Sequence, residues 1–239
     1  MMRRHIPNTI TCCNLLSGCV AAVCAFQGLY LAAFVCIIMG AVFDFFDGLT
    51  ARALKVSSPI GKELDSLADV VTFGFAPATM VFSWLGECVE AHTTIFVDSL
   101  HSLVGTLLPF LAFLLVAFSA LRLAKFNVDE RQTSSFIGLP TPANALFWGA
   151  LVLGAHDTIV VCPYGWAVVL LLVGLFSWLL VAEIPMFSLK FKNLTWKSNR
   201  TAYIFLIVSV VLLGLLGLNG LSAVIGWYIV LSILTCRKA

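Results

Sequence analysis

Long apolar segments follow one another along the chain, and short polar stretches separate them. A helix needs about 17 to 25 apolar residues to cross a bilayer, and runs of this kind predict about eight transmembrane helices. The predicted spans are 9–28, 29–53, 61–86, 102–124, 142–160, 165–183, 202–217 and 220–236. No linker or change of composition divides them, so residues 1–239 are predicted to form one domain. The pattern predicts an all-α polytopic membrane helix bundle.

Composition agrees with a protein that lies in the membrane. Hydrophobic residues make up 61% of the chain and charged residues only 11%, which excludes an ordinary soluble domain. The net charge is +2, and we expect no nucleic-acid partner.

The basic residues predict how the chain is oriented. All 14 lysines and arginines fall on alternate connections between spans, whereas Glu87, Glu90, Asp98 and Asp157 occupy connections that lack them. Because lysine and arginine concentrate on the cytoplasmic side of membrane proteins, both termini are predicted to be cytoplasmic. We therefore expect a protein of the cytoplasmic (inner) membrane.

Four aspartates occupy the predicted cytoplasmic ends of spans two and three. Asp44 and Asp47 are three residues apart, and Asp65 and Asp69 are four apart. Since residues three or four apart share one face of a helix, each of the two helices presents a pair of carboxylates. Acids at the edge of a bilayer are costly and usually mark a functional site.

The carboxylates predict a metal site. Two negative charges about 4 Å apart repel by roughly 4 kcal/mol at an effective dielectric constant near 20, so protons or cations must compensate them. Oxygen ligands without cysteine or histidine favour Mg²⁺, Mn²⁺ or Ca²⁺, and two divalent ions would balance four charges. A pair of metal ions is a common device for phosphoryl transfer.

Residues within the same motif suit a phosphate-containing ligand. Arg52 can donate to a phosphate oxygen. Gly48 and Gly61 leave the backbone open to a ligand, and Ala51 keeps the same groove shallow. The alternative for these small residues is close helix packing in lipid.

The complete pattern D-x2-D-G-x2-A-R-x8-G-x3-D-x3-D resembles the signature of the CDP-alcohol phosphotransferases. The matching residues are Asp44, Asp47, Gly48, Ala51, Arg52, Gly61, Asp65 and Asp69. The resemblance implies an integral membrane enzyme, usually a homodimer, that transfers the phosphatidyl group of a CDP-linked lipid to an alcohol and releases CMP. It also implies that the four aspartates bind two divalent ions, Mg²⁺ or Mn²⁺, and that Asp69 activates the acceptor hydroxyl.

Three further stretches are similar to the phosphatidylserine synthase branch of that family. They are Pro7-Asn8-Thr9-Ile10-Thr11-Cys12-Cys13-Asn14, the run from Asp69 to Ala78, and Arg122-Leu123-Ala124-Lys125-Phe126-Asn127 followed by residues 136–143. Lys125 departs from the usual arginine and loses its bidentate geometry. The resemblance implies CDP-diacylglycerol and L-serine as substrates, within a membrane lipid environment.

Roles for other residues follow from this resemblance. The residues expected to bind the CDP-lipid are Asn8, Thr11, Asp44, Asp47, Gly48, Ala51, Arg52, Gly61 and Asp65. Those expected to bind the acceptor are Arg122, Lys125 and Asn127. Asn8, Thr11 and Asn14 could instead hydrogen-bond to neighbouring helices.

Two alternative functions remain open from sequence. The first is the same chemistry with glycerol 3-phosphate, inositol phosphate or choline as acceptor. The second is a divalent-cation transporter, which would require carboxylates near the middle of the membrane and an inverted repeat of the motif. The motif occurs once, which favours the enzyme.

Overall fold

Helices dominate the computed structural model, which describes residues 5–56, 58–92, 99–129, 136–187 and 199–236. The α-helices are α1 (His5–Phe26), α2 (Tyr30–Ala53), α3 (Pro59–Asp69), α4 (Ala76–Ala91), α5 (Ser99–Leu107), α6 (Leu114–Val128), α7 (Thr141–Val161), α8 (Gly165–Val181), α9 (Arg200–Leu216) and α10 (Gly220–Cys236). A π-helical segment, Val70–Phe75, joins α3 to α4, and 3₁₀ turns at Leu108–Phe113 and Gly217–Asn219 join α5 to α6 and α9 to α10. The predicted all-α class is confirmed.

Six helical stretches in the described ranges are long and apolar enough to cross a bilayer. They are His5–Phe26, Tyr30–Ala53, Pro59–Ala91, Leu103–Val128, Thr141–Val161 and Arg200–Thr235. The shorter apolar helix Gly165–Val181 coincides with the sixth predicted span. The third span extends beyond its predicted limits because the π segment continues α3 directly into α4.

The longest of these stretches turns back on itself. The rings of Phe205 in α9 and Tyr228 in α10 lie 5.9 Å apart, whereas 23 residues of continuous helix would separate them by about 35 Å. Gly217 makes the reversal with a φ of 58°, a conformation that glycine adopts without a steric cost. Helices α9 and α10 therefore form a hairpin.

The outer surface of the bundle is apolar. Leu215 is 78% exposed, Leu171 75% and Val210 70%, and many other leucines, valines and phenylalanines are similarly exposed. Soluble proteins rarely expose apolar patches of this extent, but lipid chains solvate them well. The surface therefore agrees with an integral membrane protein.

Two glycines bring α1 and α2 against the π segment. A Cβ atom on Gly18 would lie 2.4 Å from Oγ1 of Thr72 and 2.7 Å from its Cα, and one on Gly40 would lie 2.4 Å from its Cγ2. Thr72 donates a hydrogen bond to the carbonyl oxygen of Asn14 at 2.9 Å. This close packing fixes the position of Asp69, which immediately precedes the π segment.

A polar cluster joins α2, α4 and α7 at the other end of these helices. Tyr30 donates a hydrogen bond to Glu87, and the second carboxylate oxygen of Glu87 lies 2.7 Å from Nε2 of His156. Nδ1 of His156 is 2.9 Å from Asp157. The cluster links three helices, and on α2 it lies at the end opposite the aspartate motif.

A short strand pair closes over the start of α7. Strand β1 (Phe136–Ile137) pairs antiparallel with β2 (Pro185–Met186). Gly138 follows with a φ of 78°, and a Cβ there would meet the carbonyl oxygen of Leu180 at 2.6 Å. Pro142 lies in the first turn of α7, where a missing N–H costs nothing, so this proline-rich stretch begins a helix.

We predict that Gly18→Ala destabilises the fold. The new methyl group would meet the Thr72 backbone, and overpacking of this kind costs about 1–3 kcal/mol. Gly86→Ala is the matched control, because no atom lies within 4 Å of a Cβ there and alanine has the higher helix propensity. Thermal unfolding in detergent, followed by tryptophan fluorescence, should give a lower midpoint for Gly18→Ala and an unchanged or higher one for Gly86→Ala. Equal midpoints would contradict the packing argument.

Candidate active site

The end of α2 and the start of α3 bring the motif together. A short turn joins them, and Lys55 in that turn adopts a φ of 51°. Ser58 caps α3 by accepting a hydrogen bond from the Gly61 amide at 3.0 Å, and Pro59 follows at the first helical position, which suits it. The chain therefore reverses tightly between the two pairs of aspartates.

Three carboxylates of the motif lie close together. One oxygen each from Asp44, Asp47 and Asp65 lies within 4.8 Å of the others. Oδ1 of Asp65 is buried and has no hydrogen-bond partner among the described residues. Hard divalent cations bind to carboxylate oxygens in this way, so the three residues fit a metal ion.

The first helix supports this cluster. Thr11 is buried and donates a hydrogen bond from Oγ1 to Oδ2 of Asp47 at 2.6 Å. Such a bond orients one carboxylate oxygen and leaves the other available to a cation. Thr11 was predicted from sequence to bind the CDP-lipid, with helix contact as the alternative, and both descriptions suit its position.

Asp69 lies one helical turn beyond Asp65 and does not belong to the tight group of three carboxylates. It is 8% exposed and accepts a hydrogen bond from Nδ2 of the fully buried Asn14 at 3.3 Å. It is within electrostatic range of the other motif carboxylates and of Arg122. Its predicted roles as fourth metal ligand and as general base remain predictions.

A cavity of about 200 Å³ opens beside the carboxylates. It is lined by Pro7, Asn8, Thr11, Asp47, Gly48, Ala51, Val56, Ser58, Gly61, Lys62 and Asp65. The cavity therefore includes most of the residues predicted to bind the CDP-lipid; Asp44 lies beside it in the carboxylate group, and Arg52 is exposed.

The two glycines of the motif differ in their surroundings. No atom of the described residues lies within 4 Å of a Cβ built on Gly48, so this part of the wall is open backbone. A Cβ on Gly61 would lie 3.0 Å from Oγ of Ser58 and 3.1 Å from Oδ1 of Asn8. Gly48 thus leaves room for a ligand, whereas Gly61 also allows α1 and α3 to pack closely.

The three residues predicted to bind the acceptor do not face one another. Arg122 is 7% exposed and donates from Nη1 to Oγ1 of Thr141 in α7 at 3.4 Å. Asn127 donates to Oγ of Ser66 in α3 at 2.8 Å, while Lys125 is exposed. Arg122 alone of the three lies inside the bundle near Asp69.

Lys62 is a cavity residue that the sequence analysis treated only as a topogenic charge. Its side chain lines the cavity and donates from Nζ to the carbonyl oxygen of Asn127 at 3.0 Å. Its spacing from Asp65, three residues along α3, could have identified it, because such residues share a helix face. The site therefore combines clustered carboxylates with the Lys62 ammonium group and the open backbone at Gly48. This combination suits binding of a diphosphate.

We predict that Thr11→Val weakens metal binding. Loss of the hydrogen bond to Asp47 frees that carboxylate to rotate, and loss of such outer contacts typically costs 10–100-fold in metal affinity. Mn²⁺ binding to the purified protein, measured by electron paramagnetic resonance, should show a decrease of about tenfold or more. Thr9→Val is the control, because among the described residues the Thr9 hydroxyl bonds to the His5 carbonyl of its own helix and to no other group. Unchanged Mn²⁺ affinity in Thr11→Val would argue against the supporting role.

Several known proteins are similar to this chain in sequence. A CDP-diacylglycerol–serine O-phosphatidyltransferase of Bacillus subtilis is 36% identical over 138 residues, which cover 58% of this chain and 70% of that protein. An enzyme of the same name from Helicobacter pylori is 27% identical over 230 residues, which cover 95% of this chain and 89% of that protein. Another from Methanocaldococcus jannaschii is 33% identical over 141 residues, which cover 59% of this chain and 57% of that protein. Residues 4–181 match the CDP-alcohol phosphatidyltransferase family as a whole. The chain, with its clustered aspartates at the mouth of a membrane helix bundle, belongs to the CDP-alcohol phosphatidyltransferase family.

Proposed function

We propose that the chain is a phosphatidylserine synthase, which transfers the phosphatidyl group of CDP-diacylglycerol to the hydroxyl of L-serine and releases CMP. The observation that carries this proposal is the group of three carboxylates within 4.8 Å beside an open cavity. The choice of serine is supported by relatives whose names specify it.

The CDP moiety would occupy the cavity between α1, α2 and α3. Open backbone at Gly48 and Ala51 would admit the diphosphate, and the Lys62 ammonium would offset part of its charge. The exposed Arg52 could reach a phosphate oxygen from the rim. Asn8 supplies an amide for hydrogen bonds with the nucleotide, and the acyl chains would remain in lipid.

The carboxylates Asp44, Asp47 and Asp65, with Asp69, would hold two divalent cations, Mg²⁺ or Mn²⁺. Such ions, when bound, neutralise charge on a diphosphate and stabilise the charge that develops during transfer. The unpartnered oxygen of Asp65 supports this assignment, because buried carboxylate oxygens are rarely left without a partner.

Asp69 would accept the proton of the serine hydroxyl. The serine oxygen then forms a bond to the phosphorus that carries diacylglycerol, and the bond from that phosphorus to the bridging diphosphate oxygen breaks. CMP leaves with the bonding electrons. The hydrogen bond from Asn14 would orient the Asp69 carboxylate for this transfer.

Serine would approach Asp69 from the side of α6. Arg122 is the favoured partner for its carboxylate, since the guanidinium is buried within electrostatic range of Asp69. Lys125 could attract the substrate electrostatically from its exposed position. Asn127, which bonds to Ser66, would act by holding α6 against α3.

The proposed placement is the cytoplasmic (inner) membrane, with eight crossings, both termini in the cytoplasm and the site on the cytoplasmic side. The hairpin of α9 and α10 supports eight crossings, and the distribution of lysine and arginine supports the orientation. Family resemblance supports a homodimer.

Release of CMP from CDP-diacylglycerol tests the proposal directly. Purified protein with Mn²⁺ or Mg²⁺ should release CMP when L-serine is added, and not with glycerol 3-phosphate, inositol phosphate or choline. Turnover with one of those alcohols in place of serine would overturn the serine assignment and retain the family chemistry. Cation flux in reconstituted vesicles without CMP release would favour a transporter instead.

We predict that Asp69→Asn abolishes turnover and preserves binding of CDP-diacylglycerol. The amide keeps the size of the side chain but cannot accept the proton, and loss of general-base catalysis typically costs 10²–10⁴-fold in rate. CMP release and CDP-lipid binding should be measured on the same preparation. Glu63→Gln is the control, because Glu63 is an exposed acid of the same helix outside the carboxylate group. A rate close to that of the unmodified enzyme in Asp69→Asn would exclude Asp69 as the base.

A further inference from the structure

The first turn of α7 contains an amide that the fold does not use. Asn144 is fully buried, yet neither Oδ1 nor Nδ2 of its side chain has a hydrogen-bond partner among the described residues. A buried polar group without a partner destabilises a fold, and buried polar atoms in native proteins nearly always have a partner. A ligand with both a hydrogen-bond donor and an acceptor would satisfy Oδ1 and Nδ2 of Asn144.

Arg122 contacts α7 one helical turn before this amide. Thr141 and Asn144 are three residues apart on α7 and so share one helix face, and Arg122 donates to the Thr141 hydroxyl. Nε of Arg122 is buried and also has no partner among the described residues. Phe126 flanks the guanidinium, with 5.6 Å between Cζ and the ring centroid.

This polar niche, formed by Arg122, Thr141 and Asn144, adjoins the proposed base. The π segment that follows Asp69 packs against both α6 and α7, and Arg122 is within electrostatic range of Asp69. The niche therefore lies on two helices that pack against the segment after Asp69.

We propose that Asn144 contacts the acceptor and determines its specificity, with Thr141 as the residue that positions Arg122; the inference rests on the proposed function. Oδ1 of Asn144 accepts a hydrogen bond from the α-ammonium group of the amino acid. Nε and an Nη of Arg122 donate to its α-carboxylate, and the β-hydroxyl lies toward Asp69. An acceptor that lacks either charged group leaves a buried polar atom unpaired, which is how such sites reject analogues.

The experiment measures CMP release while serine and CDP-diacylglycerol are varied separately. In Asn144→Ala, we expect the KM for serine to rise about tenfold or more, because the variant loses a hydrogen bond to a charged group. The KM for CDP-diacylglycerol should change less than about twofold. Thr141→Val should raise the serine KM in the same selective way. Ser209→Ala is the control, because it removes a buried, unpartnered hydroxyl in α9, and it should leave both values unchanged.

Inhibition by 3-hydroxypropanoate and ethanolamine separates contact from a structural effect. 3-Hydroxypropanoate lacks the ammonium group, so its inhibition constant should be the same in Asn144→Ala and in the unmodified enzyme. Ethanolamine lacks the carboxylate and should bind more weakly than serine to the unmodified enzyme, a result that requires no variant to fold.

Three results would overturn the inference. The first is an unchanged serine KM in Asn144→Ala. The second is that Asn144→Ala weakens binding of serine, 3-hydroxypropanoate and the CDP-lipid equally. The third is that ethanolamine binds to the unmodified enzyme as tightly as serine does. Absence of serine-dependent CMP release from the unmodified enzyme would overturn the proposed function as well. The first three results leave that function intact. Failure of the inference about Asn144 can therefore be distinguished from failure of the proposed function.

Discussion

Repulsion among the motif carboxylates is the constraint that the rest of the bundle must satisfy. Asp44, Asp47 and Asp65 lie within 4.8 Å of one another, and each ionised pair at that distance repels by about 3–4 kcal/mol at an effective dielectric constant near 20. Without compensation, α2 and α3 would separate. The packing of Gly18 and Gly40 on Thr72 opposes this, because it holds α1, α2 and the chain after α3 in van der Waals contact. The bundle thus supplies a rigid frame for a site whose carboxylates must be compensated by protons or cations.

Polar contacts at the two ends of α2 serve different purposes. At its beginning, Tyr30 bonds to Glu87, which in turn contacts His156, so the polar atoms satisfy one another and cross-link three helices. Near its end, Asp44 and Asp47 lie beside another acid with little internal compensation. A buried polar network stabilises a fold only when its members are paired. The C-terminal end of α2, where the carboxylates are not paired with donors to the same extent, is therefore the end suited to ligand binding.

Helix periodicity explains how much of the site could be predicted. Spacing of three residues predicted that Asp44 and Asp47 share one face of a helix, and the structure adds Asp65 of α3 to that pair. The family resemblance is confirmed. Asp69 lies outside that trio because four residues advance a helix by about 6 Å. Arg122 and Asn127 were grouped because both belong to one stretch that resembles the phosphatidylserine synthase branch. In the structure α6 continues to Val128, and five residues rotate a helix by about 140°, so the two side chains point in different directions.

The same geometry divides the site between separate helices. Donors and carboxylates for a CDP-lipid come from α1, α2 and α3, whereas the buried polar atoms on the acceptor side come from α6 and α7. Sequence analysis named only Arg122 of this second group as a site residue, because its contact with Thr141 joins helices that are separate along the chain. Asp69 lies at the boundary, held by Asn14 from α1 and close to Arg122 from α6. Substitutions on α6 and α7 can therefore change the buried polar atoms there while the carboxylates stay in place.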